Sequence, residues 1–229
     1  MPPHRANPVD FVFANFKQLE EQLLDCMRYI PFVQQNQSVV SPKFVPIILE
    51  SCSLIESIFR RGITSSRRHT LKSYCELMEP DLELAGTTTL LLTSPLQFLR
   101  PFHNWTAGAP AWWIAYNEVK HDRINKFDAA TYDFTVSALA GLHQVIARTR
   151  TLAGNLAKVG WINEAHPNTP DLMLFENVGC RPPEIPAESV LFVSPVRGNF
   201  VDWNDDIPSV SSEWEFSWRV KFHIWGYEG

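Results

Sequence analysis

Apolar residues recur at three- and four-residue steps through most of the first 157 positions, and that spacing predicts a run of helices. Over residues 10–30 the stripe is Phe13, Phe16, Leu19, Leu23, Leu24 and Met27, and Pro31 ends it. Ser41-Pro42 is a start signal, a side-chain cap followed by proline at the first helical position, where no donor is lost. The second helix then turns Val45, Ile48, Leu49, Cys52, Ile55, Ile58 and Phe59 inward and stops at Gly62. A shorter third helix is expected over about 68–78, with Pro80 closing it. A fourth covers about 110–123. The fifth and longest is expected over 128–157, with an inward stripe of Phe134, Ala138, Leu142, Val145, Ile146, Leu152 and Leu156.

Two segments break this period. Residues 86–93 combine threonines with Leu90, Leu91 and Leu92 between Gly86 and Ser94-Pro95, which suggests a strand or extended connector. After Gly160 prolines and tryptophans concentrate, and 189–193 reads as a short strand. From 214 to 225 the chain alternates, with Trp214, Phe216, Trp218, Val220, Phe222 and Ile224 on one face. Period two over that length predicts a one-sided β-strand whose apolar face needs a cover, most simply the helical part. The expected fold is therefore mainly α. It comprises a five-helix bundle over 1–160 and a Pro/Trp-rich, β-containing extension over 161–229 packed on it.

Composition narrows the class. The 229 residues are 45% hydrophobic and 20% charged, a globular balance that argues against a disordered chain. A net charge of −5 excludes a protein that coats nucleic acid with its whole surface. The acidity is local, however. Residues 161–229 hold eleven acids against four bases, which leaves the first 160 mildly basic. No apolar run follows a basic start, and none approaches the length of a membrane span, so neither a signal peptide nor a membrane partner is expected. Cys26, Cys52, Cys75 and Cys180 lack close pairing, and the first three fall on helical stripes. Buried free thiols in a reduced, cytoplasmic protein are the expectation.

The densest chemistry lies in Trp112-Trp-Ile-Ala-Tyr-Asn-Glu-Val-Lys-His-Asp-Arg123. On a helix Trp112, Tyr116 and Val119 share the packed face, while Asn117 and His121, four apart, meet beside it. Lys120 lies between the two faces and Arg123 follows at the helix end. An amide, an imidazole and two cations suit an RNA or nucleotide phosphate: the cations offset charge, and histidine moves a proton near neutral pH. A second basic stretch, Arg60, Arg61, Arg67, Arg68 and Lys72, contains no acid and reads either as a solvated connector or as a phosphate-backbone footprint. Glu118 and His121 also form one Glu-x-x-His pair, but a di-iron bundle needs a second, and none exists. Nucleotide-loop, esterase and zinc-protease motifs are absent. No cofactor or metal is expected.

The helix order together with Tyr116-Asn-Glu-Val-Lys-His121 resembles the HEPN family of helical bundles. Asn117 and His121 match the Asn and His of its Arg-Asn-x-x-x-His motif, and Tyr116 stands where that motif carries arginine. The resemblance implies metal-independent RNA cleavage in prokaryotic defence or stress systems, with His121 transferring the proton, Asn117 orienting the phosphate and Lys120 or Arg123 supplying the cation. It also implies a homodimer through the 110–123 helices and an antitoxin-like protein partner. Some members have lost the catalytic residues and serve as non-catalytic interaction or scaffold modules, and the tyrosine leaves that alternative open.

Overall fold

The computed structural model describes residues 7–63, 69–156, 158–161 and 185–196. The strand expected over 214–225, together with Arg67, Arg68 and Cys180, lies outside them.

Helix α1 spans Pro8–Met27, with the Asn7 side chain accepting from the Val9 amide and Pro8 at its first position. Helix α2 spans Phe44–Arg61 and buries Ile47, Ile48, Cys52, Ile55, Ile58 and Phe59. Its start lies beyond the expected one. Ser41 does accept from the Lys43 amide at 3.3 Å, but the helix opens only at Phe44. Helix α3 spans Leu71–Leu82 behind a capping box of Thr70 and Ser73. Pro80 sits inside it rather than closing it. The helix continues because Leu82 is buried and because the Glu79 carboxylate gathers the amides of the turn beyond. Glu79 accepts from Leu84 N at 2.9 Å, Ala85 N at 3.1 Å and Trp105 Nε1 at 2.7 Å. Replacing Glu79 with alanine strips three donors of their acceptor, so a loss of about 2 kcal/mol in urea unfolding is expected.

Strands β1, Thr89–Leu91, and β2, Gln97–Leu99, follow, then helix α4, Ala111–His121, and helix α5, Tyr132–Arg148. The long fifth helix of the sequence reading is thus divided. A 3₁₀ turn over Phe127–Ala129 precedes α5, and extended backbone at Thr149 separates it from a short α6, Arg150–Ala153. At twenty residues α1, not α5, is the longest helix described.

Helix α5 packs on α1, α2, α4 and the sheet, so it is buried on all sides rather than along one stripe. Gly141 permits the approach: a Cβ there would lie 3.3 Å from the Phe102 ring and 3.4 Å from that of Trp112. Polar groups on α5 are buried with it. Gln144 donates to the Thr87 carbonyl, and His143 lies 2.8 Å from Ser194 Oγ, which contacts Thr89 Oγ1 at 2.7 Å.

The sheet closes with β3, Ile185–Glu188, and β4, Phe192–Val196. The order is β2-β1-β4-β3 and every pairing is antiparallel, with Leu90 opposite Val193 and Leu91 opposite Phe192. The strand expected over 189–193 is instead the turn of this hairpin and the beginning of β4. Ser189 N donates to the Phe192 carbonyl across the turn. Buried Glu20 on α1 holds the turn from outside, accepting from Ser189 Oγ at 2.5 Å and Leu191 N at 2.8 Å. Burial pushes the Glu20 carboxyl above its ordinary range despite these donors. Trp161 lies against Phe13, Phe16 and His143. The fold is mainly helical with one small antiparallel sheet. Cys26, Cys52 and Cys75 are buried free thiols, and no described helix is long and apolar enough to cross a membrane.

Candidate functional site

Helix α4 begins after Pro110 and buries Trp112, Trp113, Ala115, Tyr116 and Val119. Trp112 donates to the Pro101 carbonyl at 2.7 Å, and Trp113 meets Tyr116 edge-on. This anchoring leaves Ile114, Asn117, Glu118 and His121 towards solvent, with His121 fully on the exposed side. Asn117 and His121 share the outward face, as the i,i+4 spacing requires. Neither makes a side-chain hydrogen bond within the described residues.

Lys120 does not join them. Its ammonium donates to Tyr116 Oη at 2.8 Å and to Glu56 Oε2 at 3.3 Å, and it lies 4.9 Å from the centre of the tyrosine ring. Tyr116 Oη in turn donates to the same Glu56 oxygen at 3.3 Å. The other Glu56 oxygen accepts from Arg60 Nη2 at 3.0 Å. One carboxylate on α2 therefore gathers two cations and a phenol. Burial pushes the Tyr116 hydroxyl above its usual range, and the bond to Tyr116, ahead of Glu56, holds Lys120 further on the protonated side. Tyr116 remains a neutral donor, and Lys120 is tied to the α2–α4 seam.

The basic stretch is partly compensated in the same way. Although residues 60–72 contain no acid, helical spacing brings Glu56 to Arg60 and Glu76 to Lys72, the latter at 3.9 Å. Arg61 ends α2 half-buried. Both pairs are open to water and weak, yet they place an acid beside each of the two cations.

Arg123 goes elsewhere. Beyond the end of α4 it lines a groove of about 620 Å³ with Pro42, just before α2, and Val45, Pro46 and Leu49 in the first turns of α2. Phe127 adds an aromatic wall, and Glu50 is the second charged group of the lining. Sequence reading missed this groove. The signal was present in the i, i+3, i+4, i+7 spacing of Pro42, Val45, Pro46 and Leu49, but that spacing is also the signature of a core stripe. Among the described residues no three His, Cys, Asp or Glu side chains cluster as a metal site.

Compared with known protein families, with curated proteins and with solved structures, the chain matches none.

Proposed function

We propose that this chain is a non-catalytic interaction module built on a HEPN-like bundle. One observation carries the reading: Tyr116, at the motif's arginine position, and Lys120, the nearest substitute cation, are bonded to each other and to Glu56 at the α2–α4 seam. A phosphoryl-transfer site needs a preorganised cation aimed at the developing charge, and here that cation is already paired with the half-buried Glu56 carboxylate. His121 retains an exposed imidazole, which is enough for surface contact. Buried free thiols suit a reducing, cytoplasmic setting.

The second reading, a HEPN-like site for RNA or nucleotide phosphate, draws on Asn117, His121 and Arg123, which have no side-chain partner among the described residues. In that reading a homodimer across the 110–123 region would bring in the missing cation. Incubation with structured RNA in EDTA separates the two. Wild type and His121→Ala are expected to leave the RNA equally intact, with no retention on RNA even at low salt. Cleavage by the wild type that His121→Ala loses would overturn the module reading and support the second.

A further inference from the structure

The two central strands of the sheet, β1 and β4, are buried at every position. In register Leu90 lies opposite Phe98 on one side and Val193 on the other, and Val193 lies opposite Glu188, so these four share one face. Helix α5 packs on the other face, where His143 meets Ser194 and Phe192. Facing away from α5, Leu90 is 0% and Val193 1% exposed. Neither belongs to the contiguous core that holds Leu91, Phe192 and Val196, so the atoms that screen them are not those of the core. Phe98, at the β2 margin of the same face, is 54% exposed. A sheet with both faces dry needs a layer on each, and α5 supplies one.

We infer that residues 214–225 of this chain supply the other, laying the side that carries Trp214, Phe216 and Trp218 on Leu90, Val193 and the inner edge of Phe98. The inference is independent of how the α4 residues are read. An outermost layer needs one apolar and one polar side. Residues 214–225 offer both, because their six apolar positions alternate with Glu215, Ser217, Arg219, Lys221 and His223. In 162–184 the longest apolar run is Leu172-Met-Leu-Phe175, which does not alternate, and 197–213 carries Asp202, Asp205, Asp206 and Glu213. Reach is no obstacle. Beyond the end of β4 at Val196, the connection 197–213 can span up to about 60 Å when extended. The outer strands of a four-stranded sheet lie only about 15 Å apart.

The test places photoreactive benzoylphenylalanine at position 98 of the full-length protein, irradiates it at high dilution and maps the adducts by mass spectrometry. Adducts within one chain at residues 214–225 are expected. Adducts confined to other residues, adducts that join two copies, or no adduct at all would overturn the assignment. A second measurement reads the cover itself. In Val193→Cys the new thiol is expected to react slowly with a maleimide, and at least tenfold faster once Phe216→Asp and Trp218→Asp are added. The buried thiols Cys26, Cys52 and Cys75 are expected to stay unreactive throughout. Arg219→Asp with Lys221→Asp, on the polar side, is expected to leave the rate at Val193→Cys unchanged. Equal rates with and without the aspartates at 216 and 218 would overturn the assignment. If those aspartates expose Cys52 as well, the chain has unfolded and the crosslink alone decides.

Discussion

Replacing Arg148 with methionine is expected to lower stability by about 3–5 kcal/mol, read as a shift of the urea midpoint at unchanged slope. Arg148 is the last residue of α5 and only 2% exposed. Its Nε donates to the carbonyl of Leu82, the end of α3, and its Nη1 donates to the carbonyl of Pro195 in β4 at 3.2 Å. One side chain thus joins three elements distant in sequence. Exchanging a buried charged group and its partners for apolar ones is often neutral, because the whole desolvation cost disappears. That escape is closed here. The acceptors are backbone carbonyls that no substitution removes, and each would be left buried without its donor. Arg148→Lys is expected to recover less than half of the loss, since a single ammonium does not reproduce the planar fork that serves two carbonyls. A methionine variant within 1 kcal/mol of wild type would show that the bridge is not what holds α3, α5 and β4 together.

The sequence pattern was informative where an element has one wet face and misleading where it has none. Val45, Ile48, Cys52, Ile55 and Phe59 mark α2 at a 3.6-residue period, and all five are buried. In α5 the inward stripe read from the same period does not include His143 and Gln144, yet both are fully buried. Their partners, Ser194 and the Thr87 carbonyl, lie some fifty residues away in sequence, beyond the reach of local pattern. The β3–β4 hairpin was legible only in part, as a strand over 189–193 that overlaps the start of β4. Pro186 and Pro195 face each other in register, and the pairing survives two missing donors.

In the candidate site the i,i+4 relation of Tyr116 to Lys120 was legible, and so was that of Asn117 to His121. What ties Tyr116 and Lys120 to the seam is Glu56, sixty residues upstream of Tyr116, and only the packing of α2 on α4 brings it there. The groove is split in the same manner between residues 42–50 and 123–127. Charge content along the chain located the cations correctly but not their acids.

Acid is expected to destabilise the wild-type protein through His143, and His143→Gln is expected to remove that component. The ring is fully buried, stacked 4.5 Å from Trp161 at 18° and flanked by Phe16 and Phe192. Burial pushes the imidazole from its ordinary 6.5 down to about 3. Hydrogen bonding points the same way. An imidazolium needs an acceptor at each nitrogen, and while Nδ1 has Ser194, buried Nε2 has no partner among the described residues. The sign follows from linkage. Below pH 6.5 the unfolded chain binds a proton that the folded chain refuses, so this contribution is complete above 6.5 and is lost as the pH falls towards 3. The folding constant should drop by up to tenfold per pH unit, or about 2 kcal/mol between pH 6.5 and 4.5. Glu20 and Asp133, whose carboxyls burial pushes up, act in the opposite sense as they protonate, and they are present in both proteins. The quantity to measure is therefore the difference in unfolding free energy between wild type and His143→Gln across pH 4.5–7.5. Glutamine sacrifices some packing at every pH, so the wild type should lead by the most near neutrality and by progressively less in acid. A difference that stays flat across that range would mean the imidazole is charged or hydrated in the folded protein, and the seal formed by Trp161, Phe16 and Phe192 would have to be reconsidered.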